Sequence, residues 1–266
     1  MHKKTRIGVA GYGYIGKHLC DAIIANPEWN LELAFVWNRD KERLGRLPAT
    51  TRLDDLGQAG DRDADLIVEC AHPDVSLRYG EAFLAQADYL PLSVNALADR
   101  ETEERLLAAA ERSGHRLLIP HGALIGVDNL VEVRETWKSV TITFRKHPDN
   151  IDFADSGIDP LSINSETTLY DGPVRGIARL FPRNVNTMTT CALATTGLDE
   201  CRGVLIADPS LSVAVAEVTA EGADGSLHHS RKVQPVVGVS GTEMLAAQIS
   251  SVRRAAGVVL PGLSFV

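Results

Sequence analysis

A doubly wound α/β domain built on a parallel sheet, followed by a smaller α+β domain, is what this chain of 266 residues predicts. Three observations carry that reading. A short apolar strand breaks on glycines spaced G-x-G-x-x-G and gives way to an amphipathic helix. Apolar strands then alternate with helical stretches as far as Pro120. Beyond Ala123 the strands become amphipathic and follow one another through turns. Alternating strands and helices imply a parallel sheet, whereas consecutive strands imply antiparallel pairing.

Ile7, Val9 and Ala10 form the opening strand, and Gly11, Gly13 and Gly16 form the turn. In the helix that follows, Ile15, Leu19, Ala22 and Ile23 share one face until Pro27 closes it. Strand, glycine turn and helix in this order are the dinucleotide fingerprint. Gly11 makes the tight turn, Gly13 lets the backbone approach a pyrophosphate, and Gly16 lets helix and strand pack closely. Tyr14 and Ile15 open the helix, where unpaired N–H groups face the phosphates. The competing reading is a tight turn that holds no ligand.

Residues 31–37 read as the second strand, ending on Asn38 and Arg39. NAD-specific sites carry an acid here for the ribose 2′-hydroxyl. A neutral residue followed by a cation suits a 2′-phosphate, so NADP is expected to be accepted, alone or beside NAD. Asp40 comes next and could equally cap the following helix. Residues 65–71 form a buried strand that His72 and Pro73 stop. Helical spacing over 74–86, a strand at 89–94, a helix over 101–113 and a last strand at 116–120 complete the set. Ligands of such sheets bind beyond the carboxyl ends of the strands. That rim gathers the glycine turn, Asn38 and Arg39, Ala71 and His72, Asn95 and Ala96, and the run from His121 to Ala123.

Residues 140–146 alternate as an amphipathic strand should. The polar stretch 149–166 is expected to be a mobile loop, 189–196 a helix and 203–207 a strand. Residues 213–220 and 227–237 flank a Gly- and Asp-containing turn as a hairpin. A final helix over 242–256 is expected to fold back on the first domain. The expected division is 1–123 with 241–266 for the dinucleotide-binding domain and 124–240 for the second.

A net charge of −8 argues against a nucleic-acid partner, and no apolar run reaches the length of a membrane helix. The basic N-terminus leads straight into the glycine turn, so no signal peptide is expected. Cys20, Cys70, Cys191 and Cys201 have no metal-type spacing and read as reduced cysteines of a cytoplasmic protein.

Taken together, several motifs resemble the L-aspartate dehydrogenase family, particularly its animal-type branch. They are GYGYIG from Gly11, VWNRD from Val36, ECAHP from Glu69, SVNALAD from Ser93 and HGALIGVDNL from His121. LYDGPVRGIARLFPRNVNT from Leu169, IADPSLSVAVAEV from Ile206 and the terminal PGLSFV extend the match nearly end to end. The resemblance implies a Rossmann domain, a nicotinamide cofactor, and a second domain that supplies the substrate pocket and the contacts of a homodimer. It implies oxidation of the Cα–N bond of aspartate to iminosuccinate, which hydrolyses to oxaloacetate and ammonia. Ala123 would sit against the nicotinamide and Asn186 would hydrogen-bond it, although Asn186 could also cap the helix it precedes.

One departure bears on mechanism. The family pattern resembles D-P-x-x-x-x-N-x-H-E, with a catalytic histidine. Here Ala214 and Ala216 hold the asparagine and histidine positions. His121 is the first candidate for a substitute base, against a rim histidine that only packs. His72 is expected to line the cofactor groove. His147 either faces the substrate from the second domain or sits on an exposed loop. Arg145, Lys146, Arg175 and Arg183 could pair a dicarboxylate, although each taken alone reads as a solvated surface cation. Arg175, held in a glycine–proline turn, is the best of the four. A His-His-x-x-Lys run at His228 also resembles dihydrodipicolinate reductases, but alternation should put His228 and His229 on opposite faces. The alternatives are therefore an enzyme of that kind or a nucleotide-binding redox sensor without turnover.

Overall fold

The computed structural model describes residues 3–237, 240, 241 and 243–258. They fall into two compact units. The first takes its described residues from Met1–Ala96, Glu101–Pro120 and Gln248–Val266, the second from Leu97–Arg100 and His121–Ala247. Thr242 and the terminal PGLSFV lie outside the described residues.

The first unit holds β1 (Thr5–Ala10), α1 (Tyr14–Ala25), β2 (Leu31–Trp37), β3 (Arg52–Leu53), β4 (Leu66–Glu69), α2 (Pro73–Leu84) and β5 (Asp88–Pro91), and most of α3 (Arg100–Ser113). Its sheet runs β3-β2-β1-β4-β5, and every pairing is parallel. Strands of such a sheet are covered on both faces and so read as continuous apolar runs. Ile7, Val9, Val36, Leu66 and Val68 are accordingly all buried in one cluster, with Leu19, Cys20 and Ile23 of α1.

A strand expected at 116–120 is not formed. Leu117 makes a single bridge to Tyr89. The Arg116 amide, which a longer ladder would use, instead donates to the Asp88 carboxylate at 2.7 Å. Pro120 then lacks a donor altogether. Val252, near the end of the last helix, α7 (Met244–Ala255), is buried in the first unit's cluster. Beside it the Arg253 guanidinium lies 4.8 Å from the centre of the Trp29 ring.

The second unit contains α4 (Val127–Glu132), β6 (Trp137–Lys146), β7 (Thr167–Pro173), α5 (Val174–Leu180), α6 (Asn186–Ala194), β8 (Arg202–Ala207), β9 (Ala214–Gly222) and β10 (Leu227–Gln234). The strand order is β10-β9-β6-β8-β7. Antiparallel pairing was expected throughout, but β6 and β8 pair parallel, because two helices and β7 intervene between them. Along β6, Val140, Ile142 and Phe144 point into a core shared with Leu205, Ala207, Val218 and Ala220, against Ile177, Met188 and Cys191 of α5 and α6. The hairpin β9–β10 forms as its turn residues predict, with His228 across from Ala220 and His229 across from Thr219.

The stretch expected to be a loop holds two short 3₁₀ turns, Pro148–Asn150 and Pro160–Ser162. It is tied to Asn184, which accepts from the Asp152 amide at 2.8 Å and donates to the Asn150 carbonyl at 3.0 Å.

Candidate active site

The glycine turn follows β1 directly. Gly11 has φ +123, a region that disfavours side chains, and its amide donates to the Trp37 carbonyl at 2.8 Å. A Cβ on Gly16 would run into the Gly11 carbonyl oxygen, so helix and turn can meet only if that residue is glycine. Gly13 differs from both. Its φ of −84 suits any residue, and nothing lies within 4 Å of where its Cβ would be. The protein does not itself need glycine there, whereas a pyrophosphate laid against the backbone does. The N-terminus of α1 opens at Tyr14, which is exposed, and Ile15 packs partly on the core.

The Asn38 side chain braces this turn: its Oδ1 accepts from the Tyr12 amide at 3.1 Å and its Nδ2 donates to the Asp40 carbonyl. Arg39 beside it is exposed. Asp40 acts as a cap, accepting from the Glu42 amide at the start of the 3₁₀ turn Lys41–Arg46. The first acidic residue after β2 is thus engaged in local structure.

Glu69 was missed by the sequence reading. Fully buried at the end of β4, it accepts from the Ala71 amide at 2.5 Å, the Ser93 amide at 3.0 Å and the Ser93 hydroxyl at 3.1 Å. Burial pushes its carboxyl up to about 7, against these hydrogen bonds, which pull the other way. It fastens the turns after β4 and β5, the same turns that carry Ala71, His72, Asn95 and Ala96. A charged residue inside an otherwise apolar strand was the available signal. His72 caps α2, its Nδ1 accepting from the Asp74 amide at 3.2 Å, and Asn95 and Ala96 are buried in a 3₁₀ turn.

In the second unit, sheet register gathers a second set of residues. Lys232, Ala216, Phe144 and Leu205 stand in one cross-strand row. Lys146 follows the Arg145–Val215 pair, the last of the β6–β9 ladder, and pairs with Ala207 of β8. Lys232 donates to the Ala123 carbonyl at 3.2 Å and pairs with Glu243 at 2.5 Å. A Cβ on Gly122 would lie 3.7 Å from the Thr187 hydroxyl, which brings the 121–123 run to the start of α6. Asn186 is the first residue of α6, whose cap position belongs to Val185, so the capping role weighed for Asn186 is not the one it takes.

Lys146, read as a solvated cation, is only 7% exposed. Its place in the alternation after Val140, Ile142 and Phe144 sends it inward. Its Nζ lies 5.4 Å from the centre of the Phe144 ring, and burial lowers its pKa to about 8.

Among the remaining candidates, His121 Nε2 lies 3.4 Å from the Asp128 carboxylate. His147 caps a 3₁₀ turn, its Nδ1 accepting from the Asp149 amide at 3.1 Å. Arg175 clamps Asp199 through Nε at 2.7 Å and Nη2 at 2.9 Å, while Nη1 reaches the carbonyls of Leu97 and Ala98. Arg100 joins the same carboxylate at 2.9 Å. This clamp fastens the 97–100 segment to the second unit. His228 lies against Trp137, whereas His229 turns to Thr219 on the opposite face.

Among the described residues, no group of three or more His, Cys, Asp or Glu side chains could hold a metal, and no helix is long and apolar enough to cross a membrane.

Comparison with known proteins agrees with this layout. A model for the C-terminal part of aspartate dehydrogenase matches residues 128–255, and one for the NAD-binding domain of homoserine dehydrogenase matches residues 11–120. An aspartate dehydrogenase domain-containing protein of Xenopus tropicalis is 43% identical over 217 residues, covering 79% of this chain and 76% of that one. An L-aspartate dehydrogenase of Methanosarcina barkeri is 35% identical over 237 residues, covering 84% and 85%. The crystal structure of aspartate dehydrogenase from Thermotoga maritima superposes with a TM-score of 0.76 at 24% identity, with all of both chains covered.

Proposed function

The chain belongs to the aspartate dehydrogenase family, and from that premise we propose that it oxidises the amine of a small dicarboxylic amino acid, most simply L-aspartate, with NADP or NAD. The reverse reaction, reduction of the corresponding imine, is equally open to it. The observation that carries the reading is Gly13, a glycine that nothing in the protein requires and a bound pyrophosphate does. The residues present fit a nicotinamide dinucleotide. Gly11, Gly13, Tyr14, Ile15 and Gly16 would take the pyrophosphate, and Asn38 and Arg39 the adenosine ribose with its phosphate. Ala71, His72, Asn95 and Ala96 would line the groove, with Ala123 and Asn186 toward the nicotinamide. When bound, that group supplies the acceptor for a hydride from the substrate Cα.

The protein's share is to hold the substrate carbon in contact range, keep water out until the imine forms, and manage protons and carboxylates. Arg175 and His147 are the substrate-side candidates from the sequence. Arg175 would act by bracing the 97–100 segment, since its donors already engage Asp199 and two carbonyls. His121, with Asp128 beside it, is the imidazole proposed for proton transfer. The same reading expects a cytoplasmic homodimer that binds neither nucleic acid nor membrane, in keeping with its acidity.

The test is an assay with aspartate and NADP or NAD, and with oxaloacetate, ammonium and the reduced cofactors. Turnover supports the enzyme. Tight cofactor binding without hydride transfer in either direction would favour a redox sensor instead, a reading that the methyl groups at Ala214 and Ala216 keep open.

A further inference from the structure

Where the family pattern carries asparagine and histidine, β9 has Ala214 and Ala216, and sheet register decides what stands opposite them. The next strand, β10, ends the strand order and pairs with β9. Its residue across from Ala214 is Gln234, and its residue across from Ala216 is Lys232. Direct cross-strand neighbours share a face of the sheet, with Cβ atoms about 5 Å apart. Each methyl group therefore lies beside a long polar side chain of the neighbouring strand. Phe144, Leu205 and Val218 make the rest of that face apolar.

We infer that Lys232 and Gln234 are the substrate-binding pair of this chain, doing from β10 the work of the two side chains that β9 lacks. The lysine ammonium receives a carboxylate of a dicarboxylic amino acid, and the glutamine carbonyl receives its ammonium group. The inference rests on the amine-oxidising function proposed above and names the residues that set its substrate class.

The Lys232 side chain is only 9% exposed. A cation withdrawn from water needs carbonyl or anionic partners. Its Nζ donates to the Ala123 carbonyl at 3.2 Å and meets Glu243 at 2.5 Å, which engages two of its three donors. Glu243 is itself 62% exposed, so water competes for that carboxylate and the ion pair is a weak claim on the lysine. A ligand carboxylate forms a charge-assisted hydrogen bond with the same ammonium. Ala123 is the residue proposed to face the nicotinamide, and the hydrogen bond to its carbonyl sets the ammonium beside it.

Gln234 supplies the complementary group. Its Oε1 is buried and has no hydrogen-bond partner among the described residues. Buried polar atoms are paired in the great majority of cases, so an open acceptor next to a buried cation suits a ligand that carries both signs of charge. Two positions apart on one strand, the two residues start about 7 Å from each other. A small amino acid spans that separation with a hydrogen bond at each end.

The test is calorimetry on the full chain saturated with NADPH, in which aspartate binds without turning over. The probes are L-aspartate and succinate, which keeps both carboxylates and lacks the amine. Lys232→Met should weaken both at least tenfold, and Lys232→Arg should recover most of that loss. Gln234→Leu should weaken aspartate about fivefold and succinate less than twofold. Glu243→Gln should leave both ligands bound as tightly as in the wild type or more tightly, because it removes a competing carboxylate. A lysine that only braced the fold would suffer alike from losing its own charge or its partner's. In turnover assays Lys232→Met should raise KM for aspartate more than it lowers kcat. Gln234→Leu tests the amine contact by itself should Lys232→Met fail to fold. Unchanged binding in Lys232→Met, equal harm from Glu243→Gln, or equal losses of aspartate and succinate in Gln234→Leu would each overturn the proposal. A wild type that turns over no aspartate in either direction would instead overturn the function it rests on, so the two failures are told apart.

Discussion

The glycine turn of the first unit and the lysine-bearing sheet face of the second are built on opposite principles. In the turn, each functional residue lies within six positions of the others along the chain, and backbone geometry assigns the roles. On the sheet face, Lys146, Ala214, Ala216 and Lys232 come from three strands and meet only through register. At Gly11 and Gly16 the local site tolerates no side chain, because a Cβ would meet backbone that cannot move. A site made by register leaves the side chains replaceable and depends on every strand holding its place, since a slip of one residue turns each of them to the other face.

The contrast can be broken at several points, taken from the largest expected effect downward. Gly16→Ala should destabilise the protein by about 3 kcal/mol or more, because its Cβ meets the Gly11 carbonyl oxygen and backbone cannot step aside. Urea unfolding measures this, and a loss below about 1 kcal/mol would show that the turn can yield after all. Gly13→Val is the partner experiment. Stability should stay within about 0.5 kcal/mol, since nothing surrounds that position, while NADP affinity by calorimetry should fall at least tenfold, about 1.4 kcal/mol.

Glu69 tests the first unit by pH. Its carboxyl is raised from 4.5 to about 7 in the folded state, so the fold binds that proton more tightly than the unfolded chain does. Its contribution is therefore fully present below about 4.5 and is lost as pH rises through about 7. Over that window wild type should lose about 3 kcal/mol relative to Glu69→Gln, at 1.36 kcal/mol per pH unit. Parallel stability curves for the two proteins between those pH values would contradict the assignment.

Arg175→Ala should cost the second unit about 1–3 kcal/mol, by leaving Asp199 and two carbonyls with fewer donors. A matching loss in Asp199→Asn would show that the clamp, rather than the isolated cation, is what matters. The smallest effect is expected at Arg39, which is exposed. Arg39→Ser should raise KM for NADP by about tenfold and leave KM for NAD nearly unchanged, a difference of about 1.4 kcal/mol. A wild-type enzyme that strongly prefers NAD would refute the role given to this arginine.

Legibility followed the same division. The first unit's strands and helices were readable because each is an apolar run bounded by Gly, Pro or Asn, and because the fingerprint is contiguous. The strand expected at 116–120 failed for a reason visible only in space, the capture of the Arg116 amide by Asp88. In the second unit the hairpin turn announces itself, but β7 and α5 lie inside a stretch that reads from sequence as a motif alone. The alternation of Val140, Ile142 and Phe144 already implied that Lys146 points inward. The general habit of lysine to stay in water weighed more, and that habit was the wrong guide.

By itself, the order of residues determined the dinucleotide turn, the parallel first unit, the hairpin and membership of the family. These depend on spacing of a few positions and on apolar periodicity, and both are properties of a linear chain. Tertiary structure alone decided that Glu69 fastens two turns, that Arg175 serves a clamp, and that Lys146 is buried at the end of β6. Each of those depends on which distant segments become neighbours, and on how much water burial removes from a charged group.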